Sequence, residues 1–206
     1  MDWNVAQLSE RQVYRLLVNT IVPRPIALVT TVDAQGRVNT APFSFFNVMG
    51  SEPPVVALGI EGSAQAPDGL KDTARNILAQ QEFVVNLVDH RLARAMNLCA
   101  LELPASAQEH ETARLDLAPS ARVRPPRLAG SPVQLECRLH TPLAIGPRRH
   151  IVIGEILHIH CRDGLVDEQL NVDIDGLDVI GRLHGADWYV GVGERVQVPR
   201  ATPQDR

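Results

Sequence analysis

A chain of 206 residues with 45% hydrophobic and 21% charged content can bury an ordinary single-domain core without disulfide or metal staples. Its formal charge of −4 and pI near 6.0 exclude a protein built mainly around nucleic acid or an anionic membrane surface, because such binding leans on clustered positive charge. No run approaches the roughly 18 apolar residues of a membrane span, and MDWNVAQLSERQVYRLL at the N-terminus has no signal-peptide core, so a cytoplasmic location is expected.

Ser9 and Gln12 have capping-box spacing, and Val13, Leu16 and Leu17 then recur at helical intervals until Pro23 and Pro25, which predicts one short helix. IALVTTVD (Ile26 to Asp33) and RVNTAPF, joined by AQG, read as a hairpin, and VVALGI (Val55 to Ile60) as a further strand. Gly69 to Gln81 reads as a helix, Phe83 to Asp89 as a strand and Arg91 to Leu103 as another helix. From Leu103 to Pro132 the chain is rich in Pro, Ala, Ser and Arg with weak periodicity, a length that favours an ordered functional excursion or a flap over a simple connection. VQLECRLHTPLAI (Val133 to Ile145) and HIVIGEILHIHCRDG (His150 to Gly164), joined by GPRR, make a long second hairpin. VIGRLHGADWYV (Val179 to Val190) is a last strand-like piece, and PRATPQDR a tail. Many short strands, a few helices and no regular βαβ alternation predict a mainly β, antiparallel barrel with peripheral helices in a single domain spanning 1–206.

Three stretches bear on chemistry. Lys71, the only lysine among the 20 basic residues, sits in GLKDTARNI, where Asp72 or Thr73 can start a helix whose free N–H groups would favour an anion. The alternative is a plain Thr73 N-cap beside a solvated lysine. RVNTAPFSFFNVMG packs Phe43, Phe45 and Phe46 among Asn39, Thr40, Ser44 and Asn47 and is broken by Pro42. That mixture suits a wall for a planar, polar-edged heterocycle, or else an aromatic corner of the core. His158 and His160 would share one strand face, but no third ligand stands at recognisable spacing, so no metal is expected. Cys99, Cys137 and Cys161 lie far apart without a CxxC pair and read as buried thiols. No GxSxG, HExxH, GxxxxGK[ST] or post-strand GxGxxG is present, which leaves hydrolase and mononucleotide-loop readings without support.

RPIALVTT, NTAPFSFFN, LKDTARNI, FVVNLV, HIVIGEI and GRLHGADWY, in that order from about Arg24 to Tyr189, resemble the flavin-reductase-like family of FMN-binding split-barrel proteins, flavoredoxin-type members included. The resemblance implies an antiparallel FMN-binding split barrel with its core at about 20–190, and a homodimer. It implies that Asn39, Ala41, Pro42, Phe43, Ser44 and Phe45 line the flavin ring and its ribityl chain, and that Ser63, Lys71, Asp72, Thr73 and Asn76 gather at the phosphate. It further implies an oxidoreductase moving hydride from NADH or NADPH through FMN to a flavin, a partner oxygenase or a small acceptor; His150, at a strand entry after PRR, and Arg182, beside an aromatic pair, are the candidates for steering the nucleotide or acceptor. The alternative is a flavin-binding electron carrier or store that serves a partner electron-transfer protein and has no NAD(P)H activity of its own.

Overall fold

At the N-terminus the capping box forms as its spacing dictates: the Gln12 side chain accepts the Ser9 N–H at 2.9 Å, and α1 (Glu10–Thr20) follows. The computed structural model describes residues 1–101, 103, 107–146, 149–185 and 187–200. After α1 come β1 (Arg24–Pro25), β2 (Ala27–Val32), β3 (Val38–Phe43), β4 (Phe46–Ser51), β5 (Pro54–Glu61), α2 (Asp72–Gln80), β6 (Glu82–Leu87) and α3 (Ala93–Leu98). Then follow α4 (Glu109–Thr112), β7 (Leu117–Ala118), β8 (Arg127–Leu128), β9 (Val133–Ile145), β10 (Arg149–Cys161), α5 (Ile174–Leu177), β11 (Ile180–Arg182) and β12 (Tyr189–Gly191).

Seven strands form one antiparallel sheet in the order β3-β2-β6-β9-β10-β5-β4. Its two edge strands, β3 and β4, are consecutive in the chain, so the sheet must curl; at the corner the Gly59 N–H of β5 bonds the Phe45 carbonyl at 2.7 Å. The result is the expected split barrel with peripheral helices. Inside it pack Phe83, Leu58, Ile60, Val29, Val85 and Val152, closed at one end by Ala74 and Ile77 of α2. Strand β2 is buried on both faces. Ala27 and Val29 point into the barrel, and Leu28 points into a second cluster with Ile26, Met96, Cys99, Leu128 and Ile180. A strand covered twice reads as a continuous apolar run, as IALV does.

Gly154 of β10 marks the tightest approach in the barrel. A Cβ there would lie 2.3 Å from Cζ of Phe83, whose side chain is fully buried. Gly154→Ala is therefore expected to destabilise by about 1–3 kcal/mol through overpacking, seen as a lower urea midpoint at unchanged slope. An unshifted midpoint would mean that the ring has room to turn.

Three expectations change, and one open alternative is decided. The stretch after Phe43 is a strand of its own, β4, paired to β5 from Phe46↔Leu58 to Ser51↔Pro54. Val179 to Val190 is two short strands rather than one, β11 pairing with both β12 and β1. The Leu103 to Pro132 segment is, in its described residues, the ordered excursion of the two readings. The Leu128 N–H bonds Asn86 Oδ1 at 2.9 Å, and the Glu136 carboxylate holds three consecutive excursion N–H groups, those of Ala121, Arg122 and Val123. Cys161 is exposed, whereas Cys99 and Cys137 are buried as expected. The centre of the GPRR turn, 147–148, and the tail from 201 lie outside the described residues. No helix among the described residues is long and apolar enough to cross a membrane.

Candidate functional site

Two clefts, each of about 770 Å³, flank the end of β3 and share Pro42, Phe43 and Ala100 as a common wall. The first runs from β3 to the start of α2. Asn39, Ala41, Pro42 and Phe43 form one side, and Ser63, Lys71, Asp72 and Thr73 the other.

The chemistry of this first cleft follows from which charges are already spent. Arg75 donates to both oxygens of Asp68, at 2.7 and 2.8 Å, to Asp72, and to the Leu70 carbonyl at 2.9 Å. The Arg75 contact holds the Asp68 carboxyl well below the ordinary carboxylate range. Lys71, exposed at the N-cap of α2, is the cation left facing the cleft without an ion pair among the described residues. It supplies no side-chain cap, so the first-turn amides of this nine-residue helix keep their donor capacity and add the positive end of the helix dipole.

The sheet edge provides the complementary polar surface. The outward N–H groups of β3 are taken at Val38 by Gln108 (3.0 Å) and at Thr40 by Glu109 (2.9 Å). Pro42, next in that alternation, has no N–H to satisfy, and the outward carbonyls remain as acceptors beside the Phe43 ring. Cys99 also lines this cleft, but burial pushes its thiol up to about 12, with Glu109 adding to the shift. It stays a protonated, poorly nucleophilic neighbour.

In the second cleft lie Arg11, Tyr14 and Arg15 of α1, Arg24 of β1, Ser44, and Arg182 and Tyr189 of the β11–β12 hairpin. Arg24 is 8% exposed. It donates to the carbonyls of Val18 (2.6 Å), Ile21 (2.9 Å) and Leu183 (3.3 Å) and to Ser44 Oγ (3.3 Å), all neutral oxygens. Burial lowers the Arg24 pKa from its ordinary value, with Tyr14 opposing and Arg182 reinforcing the shift. Arg182 bonds the Tyr189 hydroxyl and the Gly185 carbonyl, and its guanidinium carbon stands 4.8 Å from the Tyr189 ring centroid.

The sequence-derived residues thus divide. Asn39, Ala41, Pro42, Phe43, Ser63, Lys71, Asp72 and Thr73 come together in the first cleft. Neither Asp72 nor Thr73 caps α2: the Asp72 carboxylate belongs to Arg75, and Thr73 Oγ1 accepts from Asn39 Nδ2 at 2.9 Å. Asn76 sits behind that pair, donating to Thr31 Oγ1 at 3.0 Å, so it ties the helix to the sheet rather than lining the cleft. Ser44 turns to the second cleft, and Phe45 lies against Tyr14 with ring centroids 6.4 Å apart, outside both. Arg182 lines the second cleft, whereas His150, on β10 opposite Ile60 and Ala144, lines neither. His160 bonds Glu136, and no metal-binding group of three His, Cys, Asp or Glu occurs among the described residues. Sequence reading missed Glu109, Cys99, Arg11, Arg15 and Arg24. RPI was part of the recognised pattern, but nothing in its spacing shows that a strand-entry arginine points at a distant hairpin.

The flavin reductase like domain family matches residues 19–177. An uncharacterized protein of Halalkalibacterium halodurans is 38% identical over 98% of this chain and 97% of its own length. Among solved structures, the 2-nitrobenzoate 2-nitroreductase of Pseudomonas fluorescens superposes with a TM-score of 0.89 at 35% identity, over 98% of both chains. Component B of nitrilotriacetate monooxygenase from Bacillus cereus gives 0.90 at 30% identity, over 96% of this chain and 98% of that one.

Proposed function

The chain belongs to the flavin reductase like domain family, and from that membership we propose that it is an FMN-dependent NAD(P)H oxidoreductase delivering electrons to a flavin, a partner oxygenase or a small acceptor. The observation that carries the reading is the meeting of Lys71 and the uncapped start of α2 with the Asn39–Phe43 wall in one cleft of about 770 Å³. The fit is chemical: a free lysine and open amides for a phosphate, and ring and carbonyl edges for a planar heterocycle. When bound, FMN would supply the hydride-accepting and electron-transferring chemistry.

The protein's own residues then bind, orient and exclude. Lys71, Ser63 and the amides that open α2 hold the phosphate, while Asn39, Ala41, Pro42 and Phe43 position the ring. Thr73, Asn76 and Asn39 keep the helix in register with β2 and β3 through their shared hydrogen bonds. Arg182 steers the pyridine nucleotide or acceptor from the adjoining cleft. His150 could join it only from outside both clefts of this chain. Such a design needs no nucleophile or general base, in keeping with a cleft whose cysteine is held protonated. A nitroaromatic acceptor is favoured by the nitroreductase likeness and an oxygenase partner by the likeness to a monooxygenase component.

A homodimer is part of the proposal. Tyr14 and Leu17 of α1 and Ile21 just after it, with Val48 and Met49 of β4 and Ile145 at the end of β9, leave large apolar side chains exposed, and a second subunit would cover them. The test is anaerobic: protein loaded with FMN is mixed with NADH or NADPH and its visible absorption followed. Rapid bleaching is the expected result. Bleaching by a reduced protein donor alone would make the chain a carrier instead, and failure to take up any flavin would end the reading.

A further inference from the structure

Glu109 stands in the first cleft with half of its carboxylate unused. One oxygen, Oε2, accepts the outward Thr40 N–H of β3 at 2.9 Å, and nothing else among the described residues bonds the group. Its neighbour does the same work on the same strand edge: Gln108 accepts the Val38 N–H at 3.0 Å and spends its amide on Glu111 at 2.8 Å. A neutral side chain therefore suffices to satisfy an edge donor of β3. At Thr40 the donor is met instead by a half-buried carboxylate that also opens onto the cleft, near enough to Cys99 to add to the rise of its thiol pKa. Nor is the charge spent on a cation: Lys71 lines the same cleft, yet no ion pair joins the two among the described residues. An ionised carboxylate only accepts hydrogen bonds, so it repels a phosphate and the carbonyl edges of a heterocycle alike, and it suits an O–H or N–H donor. Its place along the strand narrows the choice. Asn39, on one side of Thr40, bonds Thr73 of the Lys71 helix at 2.9 Å, and Pro42 and Phe43 lie on the other side, so Glu109 falls between the anion end of the cleft and its ring wall.

We propose that Glu109 is a specificity-determining residue for the cofactor: its spare carboxylate oxygen accepts hydroxyl groups of the polyhydroxyl chain that joins the ring to the phosphate. The assignment rests on the flavin reading of this cleft. It divides recognition into three parts, with Lys71 and the amides of α2 reading the phosphate, the Asn39–Phe43 wall reading the ring, and Glu109 reading the chain between them.

Quenching of flavin fluorescence on the full chain tests this with two uncharged probes: riboflavin, which carries the chain without the phosphate, and lumiflavin, which has a methyl group in place of the chain. The parent is expected to bind riboflavin the more tightly. In Glu109→Ala riboflavin is expected to lose on the order of tenfold or more in affinity, the scale of a hydrogen bond to a charged group, while lumiflavin binds as it does to the parent. Lumiflavin separates recognition from scaffolding. Glu109 also holds the β3 edge through Thr40, and a wall that merely shifted would weaken both ligands. Glu109→Gln keeps an acceptor for the Thr40 N–H and serves if the alanine variant does not fold; riboflavin is expected to weaken several-fold in it, a neutral bond replacing a charged one, with lumiflavin again unchanged. Equal losses for the two ligands, or no loss for riboflavin, overturn the proposal. A parent that takes up no flavin at all ends the flavin reading as well, whereas uptake by the parent with riboflavin affinity unaltered in the variants ends only the role of Glu109.

Discussion

Glu136→Ala is expected to destabilise the protein by about 3–5 kcal/mol, the scale for stripping one partner from a buried charged network. For a chain of this size that corresponds to roughly 6–20 °C in melting temperature. The Glu136 side chain is fully buried on β9, and its oxygens accept the N–H groups of Ala121 (2.7 Å), Arg122 (2.6 Å) and Val123 (3.2 Å) and bond the His160 ring. Alanine would leave three amides without their acceptor, each carrying its own desolvation cost. Glu136→Gln, which retains an acceptor oxygen, should lose distinctly less. The same site sets an acid limb. Burial alone would raise the Glu136 pKa, but the Ala121 N–H, the His160 ring and the Arg122 N–H outweigh it and lower the native value. Its stabilising contribution is therefore complete above the ordinary glutamate pKa of about 4.3 and is lost as pH falls below that through the lowered native value. Denaturant titrations at neutral pH and at successively lower values should converge for parent and alanine variant in acid. A gap that stayed constant would remove ionisation of Glu136 from the account.

Lys71→Ala is expected to weaken FMN binding about 10- to 150-fold, the equivalent of roughly 1.5–3 kcal/mol for a charge-assisted contact. Riboflavin, which lacks the phosphate, should bind the variant as it binds the parent. The expectation rests on the distribution of charge in the first cleft: Arg75 is engaged by Asp68 and Asp72, which leaves Lys71 as the cation without an ion pair among the described residues, at the uncapped start of α2. Lys71 is exposed, so folding should survive, and activity should return when FMN is supplied in excess. Equal FMN affinity in parent and variant at low salt would place the phosphate elsewhere, the arginine cleft being the next candidate.

Local signals in the chain determined a good deal by themselves. Ser9 and Gln12 specified the start of α1 because a capping box is made from residues three apart. The alternation of Val133 to Ile145 and of His150 to Cys161 specified the long hairpin because strand faces repeat every second residue. The ordered set of motifs from Arg24 to Tyr189 was enough to indicate the family, and the clustering of Asn39–Phe43 and the isolation of Lys71 were legible as composition. Only the tertiary structure decided which of these residues meet. Ser44 and Phe45 follow Phe43 directly yet leave its cleft, because the chain turns a corner of the curled sheet there and its side chains are redistributed to three surfaces. The excursion after Leu103 has no periodicity because its backbone donors are satisfied by side chains from afar, Asn86 and Glu136, rather than by a repeating ladder. The arginine cleft was invisible for the same reason: Arg11, Arg24 and Arg182 are brought together by the pairing of β1 with β11 and the packing of α1, long-range contacts that leave no trace in local spacing.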